Sequence, residues 1–168
     1  MPDHKSLTLV LADEAATLAL GAHLGNALVG NEPASGLVIY LEGDLGAGKT
    51  TLVRGLLRGL GYRDKVKSPT YTLVEEHGVS GLDLFHFDFY RFTRPEEYLD
   101  AGLDEYFAGK GVCLIEWPHN AAPYLPPADI TVALAVADTI ANAGRSVVIT
   151  AHSDKGNACL TSLQTTSF

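Results

Sequence analysis

The stretch Gly43-Asp44-Leu45-Gly46-Ala47-Gly48-Lys49-Thr50-Thr51 constrains this chain more than any other part of it. Its first eight residues match G-x-x-x-x-G-K-[ST], and the flanks supply the context that pattern requires. The apolar run Leu37 to Leu41, β-branched at its centre, predicts a strand buried on both faces of a parallel sheet. Leu52, Leu56 and Leu60, spaced by four, predict a helix over Thr51 to Leu60 that begins at the loop, with Arg54 and Arg58 on another face. Gly46 and Gly48 permit backbone angles and a close approach that a side chain would block, so successive N–H groups can converge on phosphate oxygens at the positive end of a helix. Lys49 is then expected between the β- and γ-phosphates of a nucleotide, Thr50 at Mg²⁺, and Thr51 on the α-phosphate side.

The rest of the chain supplies elements for an α/β fold around that loop. Leu7 to Leu11 reads as a strand, and Leu18, Ala22, Gly25 and Val29 recur at helical spacing, predicting a helix from about Asp13 to Val29 that Gly30 and Pro33 end. Tyr71 to Glu76 and Leu82 to Phe89 predict two strands joined by a hairpin turn at His77-Gly78-Val79-Ser80-Gly81, which makes the sheet mixed. Pro95-Glu96-Glu97 suits the first turn of a helix, and Val112 to Ile115 is a further buried strand ending at Glu116-Trp117. Pro118, Pro123, Pro126 and Pro127 make the next segment a loop. Ile130 to Val136 and Ser146 to Ala151 are expected to pair across Ala141-Asn142-Ala143-Gly144, and the polar segment from Leu160 to Phe168 reads as a frayed tail. At 168 residues, 46% of them apolar and with no internal repeat, residues 1–168 are expected to form one domain.

Composition narrows the partners. A formal net charge of -8 repels a polyanion over most of the surface, so any contact with RNA must be local or borrowed from a partner. The two cysteines, Cys113 and Cys159, imply neither a disulfide framework nor a zinc site, and Cys113 sits in an apolar run as a buried thiol. The apolar stretch near the start is too short for a signal-peptide core or a membrane span, which predicts a cytoplasmic protein without a membrane partner.

A nucleotide-bound metal also needs an acid from a neighbouring strand end, and Val112-Cys113-Leu114-Ile115-Glu116 offers four apolar residues followed by a carboxylate. Open α/β sheets place ligands at strand C-termini, which favours Glu116 as a site residue over a surface acid. In Leu82 to Tyr90, Asp83, Phe85, Phe87 and Phe89 share one face, while His86, Asp88 and Tyr90 share the other. The alternation fits Asp88 as a metal-water ligand or water-orienting base, and it fits a solvated strand face equally. His86 reads as a hydrogen-bonded structural residue. Ser68-Pro69-Thr70 is either a switch segment over the nucleotide or ordinary turn chemistry. The cations Arg54, Arg58, Arg63, Lys65 and Lys67, with Arg91 and Arg94 elsewhere, read as a solvated surface or a partner-facing one.

Taken in order and spacing, Gly43 to Thr51, Ser68-Pro69-Thr70-Tyr71, His86-Phe87-Asp88-Phe89-Tyr90-Arg91 and Leu114-Ile115-Glu116-Trp117-Pro118 resemble the TsaE (YjeE) family, the likeness running from about Leu7 to Ala151. That family comprises small bacterial ATPases required, with TsaB and TsaD, for making threonylcarbamoyladenosine in tRNA. The resemblance implies a P-loop NTPase fold in which a central parallel sheet is extended by antiparallel strands and flanked by helices. It also implies an ATP/ADP site over Asp44, Leu45, Gly46, Ala47, Gly48, Lys49, Thr50 and Thr51, with Mg²⁺ on Thr50 and Glu116. Asp88 and Thr70 fall on motif positions that support the metal or the attacking water, and Trp117 falls on the family's tryptophan beside the nucleotide. Lys49, Asp88 and Glu116 are thus the expected catalytic set. The chain departs from the pattern at Pro118-His119-Asn120, where an acid is expected after the proline, and in the tail past Leu160. A small-molecule kinase on the same fold lacks support, since no arginine-rich lid segment follows the central strands. A module that binds nucleotide only to hold a docking shape is not separable by sequence from an ATPase.

Overall fold

Alternation of apolar residues along the strands sets two faces of a single sheet. The structure, a computed structural model, describes residues 5–30, 36–66, 69, 72–79, 81–137 and 144–164. The strands are β1 (Ser6–Leu11), β2 (Leu37–Glu42), β3 (Val74–Val79), β4 (Leu82–Asp88), β5 (Val112–Glu116), β6 (Ile130–Val136) and β7 (Arg145–Ala151), in the spatial order β1-β7-β6-β2-β5-β4-β3. β2 pairs in parallel with β5 on one side and β6 on the other, and β4 pairs in parallel with β5. β3 adds antiparallel to β4 at one edge, while β7 and then β1 add antiparallel beyond β6 at the other. The protein is therefore a mixed α/β protein with a parallel centre extended at both edges, as expected.

One face carries α1 (Glu14–Gly30), α2 (Lys49–Gly59) and α4 (Asp154–Gln164), packed over an aliphatic core that takes Leu37, Ile39 and Leu41 from β2 and Val112 and Leu114 from β5. Each fully buried leucine there, such as Leu20, Leu24, Leu52 or Leu57, stabilises the fold by about 2 kcal/mol. α1 and α2 touch through their backbones. A Cβ on Gly55 would lie 2.3 Å from the Leu18 carbonyl oxygen, and one on Gly21 would lie 2.3 Å from that of Leu52. α1 thereby fixes α2 and the loop at its start. The other face holds Cys113 and Ile115 of β5 and Phe87 of β4, with Phe89, in an aromatic core covered by α3 (Glu97–Asp100), the 3-10 turn Leu103–Phe107 and a second such turn at Pro118–Ala121. Burial pushes the Cys113 thiol up to about 12, as befits an inert thiol in an apolar run.

Two expectations need correction. The hairpin is tighter than predicted, because His77 and Gly78 are still paired in β3 opposite Leu84 and Asp83. The predicted tail from Leu160 is instead the end of α4, whose Cys159, Leu160 and Leu163 are buried against the sheet. Gly156 permits that packing, since a Cβ there would lie 2.1 Å from the Asp129 carbonyl oxygen. Ser68, Thr70 and Tyr71, the turn at 141–143 and residues 165–168 lie outside the described residues. Among the described residues no helix is long and apolar enough to cross a membrane.

Candidate functional site

The chain leaves the C-terminal end of β2 at Glu42 and must turn sharply into α2, and glycines make the turn. Gly43, Gly46 and Gly48 have φ of 144°, 78° and 108°, all on the left-handed side that L side chains disfavour. Gly43 is also sterically required, because its Cβ would lie 2.4 Å from the Leu134 carbonyl oxygen of neighbouring β6. Within the loop the Ala47 amide donates to the Asp44 carbonyl at 3.0 Å, and Gly48 caps α2. Asp44 is exposed and Ala47 is buried beneath the turn. Leu45, Gly46, Gly48, Thr50 and Thr51 face a cavity of about 270 Å³.

The opposite wall of this cavity comes from the ends of β4 and β5. Parallel pairing sets Asp88 beside Glu116, and both carboxylates are almost fully buried, at 4% and 3% exposure. A solvated strand face is thereby excluded for His86 and Asp88. His86, fully buried, donates from Nε2 to Glu116 Oε2 at 2.6 Å, and its Nδ1 has no hydrogen-bond partner among the described residues. Asp88 Oδ1 accepts the Tyr90 amide at 2.9 Å. Trp117 follows Glu116 with φ 59°, in the left-handed region, and its ring lies against the Lys49 ammonium.

Lys49 joins the two walls. It is 5% exposed, its Nζ donates to the Gly43 carbonyl, and the same nitrogen lies 3.7 Å from the centre of the Trp117 ring, a cation–π contact. Burial pulls the Lys49 ammonium below the ordinary lysine range, while Glu116, Asp88 and Asp44 oppose that pull. Tyr90 stands 5.0 Å from Trp117, ring centre to ring centre, and completes the rim. His119, where an acid is expected, lies on the surface with Nε2 3.4 Å from Glu42 Oε1.

Leu45, Gly46, Gly48, Lys49, Thr50, Thr51, Asp88, Glu116 and Trp117 thus converge on the cavity, while Asp44 and Ala47 shape the turn without lining it; the surface cation Arg91 lines a separate groove with Arg94, Glu97 and Asp100. Among the described residues the arginine at the cavity is Arg145, the first residue of β7. Sequence reasoning does not single it out, because nothing in its neighbourhood marks it and only the fold brings it to the loop.

A G-x-x-x-x-G-K-T loop at the carboxyl end of a parallel strand, faced by acids from the two next parallel strands, defines the class: a mixed α/β protein with a glycine-rich loop joining its central strand to a helix. A family model described as threonylcarbamoyl adenosine biosynthesis protein TsaE matches residues 11–146, and the chain belongs to the TsaE family. The tRNA threonylcarbamoyladenosine biosynthesis protein TsaE of Haemophilus influenzae is 46% identical over 128 residues, 76% of this chain and 81% of that one. The protein of the same name from a Nostoc species is 43% identical over 134 residues, 77% of this chain and 78% of its own length. The crystal structure of Bacillus subtilis YdiB is similar at a TM-score of 0.78 and 31% identity, covering 98% of both chains.

Proposed function

We propose that this chain is the ATPase of the bacterial apparatus that installs threonylcarbamoyladenosine in tRNA, hydrolysing ATP to ADP and phosphate to support turnover of a TsaB–TsaD transferase in the cytoplasm. The observation that carries this reading is the convergence of Lys49, Thr50, Asp88 and Glu116 on one cavity above the glycine loop. Membership in the TsaE family supplies the pathway, and the net charge of -8 fits a subunit that reaches tRNA only through its partners.

Each group has a physical task in that reaction. Loop amides and the Lys49 ammonium hold the phosphates and stabilise the charge that shifts toward the bridging oxygen as the β–γ bond breaks. Asp88, its carboxylate fixed by the Tyr90 amide, orients water for attack on the γ-phosphorus. The Thr50 hydroxyl and the Glu116 carboxylate would hold Mg²⁺. The described residues contain no cluster of three or more His, Cys, Asp or Glu suited to a metal, and a sparse oxygen set is what Mg²⁺ takes when phosphate and water complete its shell. When bound, the ion neutralises charge on the β- and γ-phosphate oxygens. Trp117 covers Lys49 and excludes water from it.

The test is ATP hydrolysis by the purified chain, alone and with TsaB and TsaD, with Lys49→Ala as the blank. Lys49-dependent turnover that rises strongly with the pair is expected. Nucleotide binding without turnover in either condition would refute the ATPase and leave a binding module.

A further inference from the structure

Arg145 opens β7, 98 residues beyond Ala47 in the chain, yet its guanidinium lies against the loop. Nε donates to the Ala47 carbonyl at 2.8 Å, Nη2 to the Gly46 carbonyl at 3.1 Å, and Nη1 to the Gly144 carbonyl at 2.8 Å. Two consecutive peptide planes of the loop are therefore held from one planar fork. Because the carbonyl and the amide of a trans peptide point in opposite directions, fixing a carbonyl fixes the next amide as well. The bond to Gly46 sets the Ala47 amide, which closes the turn on Asp44 at 3.0 Å. The bond to Ala47 sets the amide of Gly48, a cavity-lining residue whose φ of 108° leaves that plane otherwise soft.

We propose that Arg145 is the positioning residue of the phosphate loop: it orients the peptide planes after Gly46 and Ala47, so that the loop amides are preset for a polyphosphate. This rests on the nucleotide site proposed above. The fork geometry is essential to it, since a lysine ammonium is a point charge on a flexible stem and cannot hold two carbonyls in one plane. A competing role is available to the same side chain. Arg145 also borders an adjoining cleft of about 160 Å³ with Glu14, Thr17, Gly48 and Thr51, where it would touch the nucleoside directly.

Trp117, the single tryptophan of the chain, lies against Lys49 and reports ligand binding by its fluorescence. Wild type, Arg145→Met and Arg145→Lys are titrated with ATP and, separately, with inorganic tripolyphosphate. Arg145→Met is expected to weaken both ligands equally, on the order of tenfold, and Arg145→Lys to recover only a minor part of that loss. In the ligand-free chain the Ala47 amide is expected to exchange with solvent faster in Arg145→Met than in wild type, while amides of the core strands keep their rates. Loss of ATP affinity alone would assign Arg145 to the nucleoside, and full rescue by lysine would reduce its role to charge; either result overturns the proposal, as does unchanged exchange at Ala47. A wild type that binds neither ligand would sink the nucleotide site itself, while the exchange measurement would still decide whether Arg145 sets the loop.

Discussion

The two walls of the cavity are built on different principles. The loop wall is a run of consecutive residues whose chemistry is mostly backbone, so its shape rests on the left-handed glycines Gly43, Gly46 and Gly48. The strand-end wall is made of side chains that lie far apart in sequence. Parallel pairing of β4 with β5 sets Asp88 beside Glu116, and the His86 hydrogen bond holds the Glu116 carboxylate. A substitution on the loop wall therefore acts through conformation, and one on the strand-end wall acts through chemistry.

The largest expected effect tests the strand-end wall. Glu116→Ala is expected to lower ATP hydrolysis by roughly a thousandfold, while Trp117 fluorescence shows ATP affinity changed by no more than about threefold. A matching loss of affinity would erase the distinction between the walls. On the loop wall, Gly48→Ala is expected to destabilise the protein by about 1–2 kcal/mol in urea unfolding and to weaken ATP binding with it. The nearest atoms to the added methyl, Arg145 Nε at 3.6 Å and Thr17 Cγ2 at 3.8 Å, leave room for it, so the effect measures backbone strain and not a clash. An unchanged midpoint and affinity would show that the loop does not depend on its left-handed glycine.

The smallest effect lies behind the strand-end wall, at His77 on β3. Both of its ring nitrogens are buried without a hydrogen-bond partner among the described residues, and Tyr62 packs edge-on at 5.0 Å. Burial, and then the neighbouring His86, hold the imidazole below its ordinary value of 6.5, against a weaker pull from Glu75. With the folded value depressed, the unfolded chain binds the proton more readily. Stability is then complete above pH 6.5 and declines as pH falls from there through the folded value. His77→Phe is expected to flatten that decline between pH 7.5 and 5.5, by less than about 1 kcal/mol in urea midpoints. An unchanged slope would place the acid sensitivity of this wall elsewhere.

Legibility in the sequence followed the same division. The loop was readable because a contiguous motif between an apolar strand and an amphipathic helix is a local signal, and Glu116 was readable as the acid closing an apolar run. Asp88 was one of two readings, since alternation alone does not say whether the polar face of a strand meets solvent or a covered wall; burial at 4% decides it. Arg145 was invisible, because its meaning depends on β7 lying next to β6, whose neighbour β2 ends at the loop. The end of α4 from Leu160 reads as a tail because the polar sequence of that helix carries only Cys159, Leu160 and Leu163 as anchors, and tertiary packing rather than local propensity holds such a helix.

The position of β2 between β5 and β6 also bears on how the protein is made. The loop motif is complete once Thr51 has been synthesised, yet the strands that flank β2 are residues 112–116 and 130–136. A nascent chain emerging from the ribosome thus carries the whole motif long before the sheet that gives it shape, and the last clamp on the loop, Arg145, arrives later still. A product stalled or cleaved short of β6 has the glycine-rich motif without the strand that packs against Gly43, so the cavity exists in the finished fold and not in its precursors.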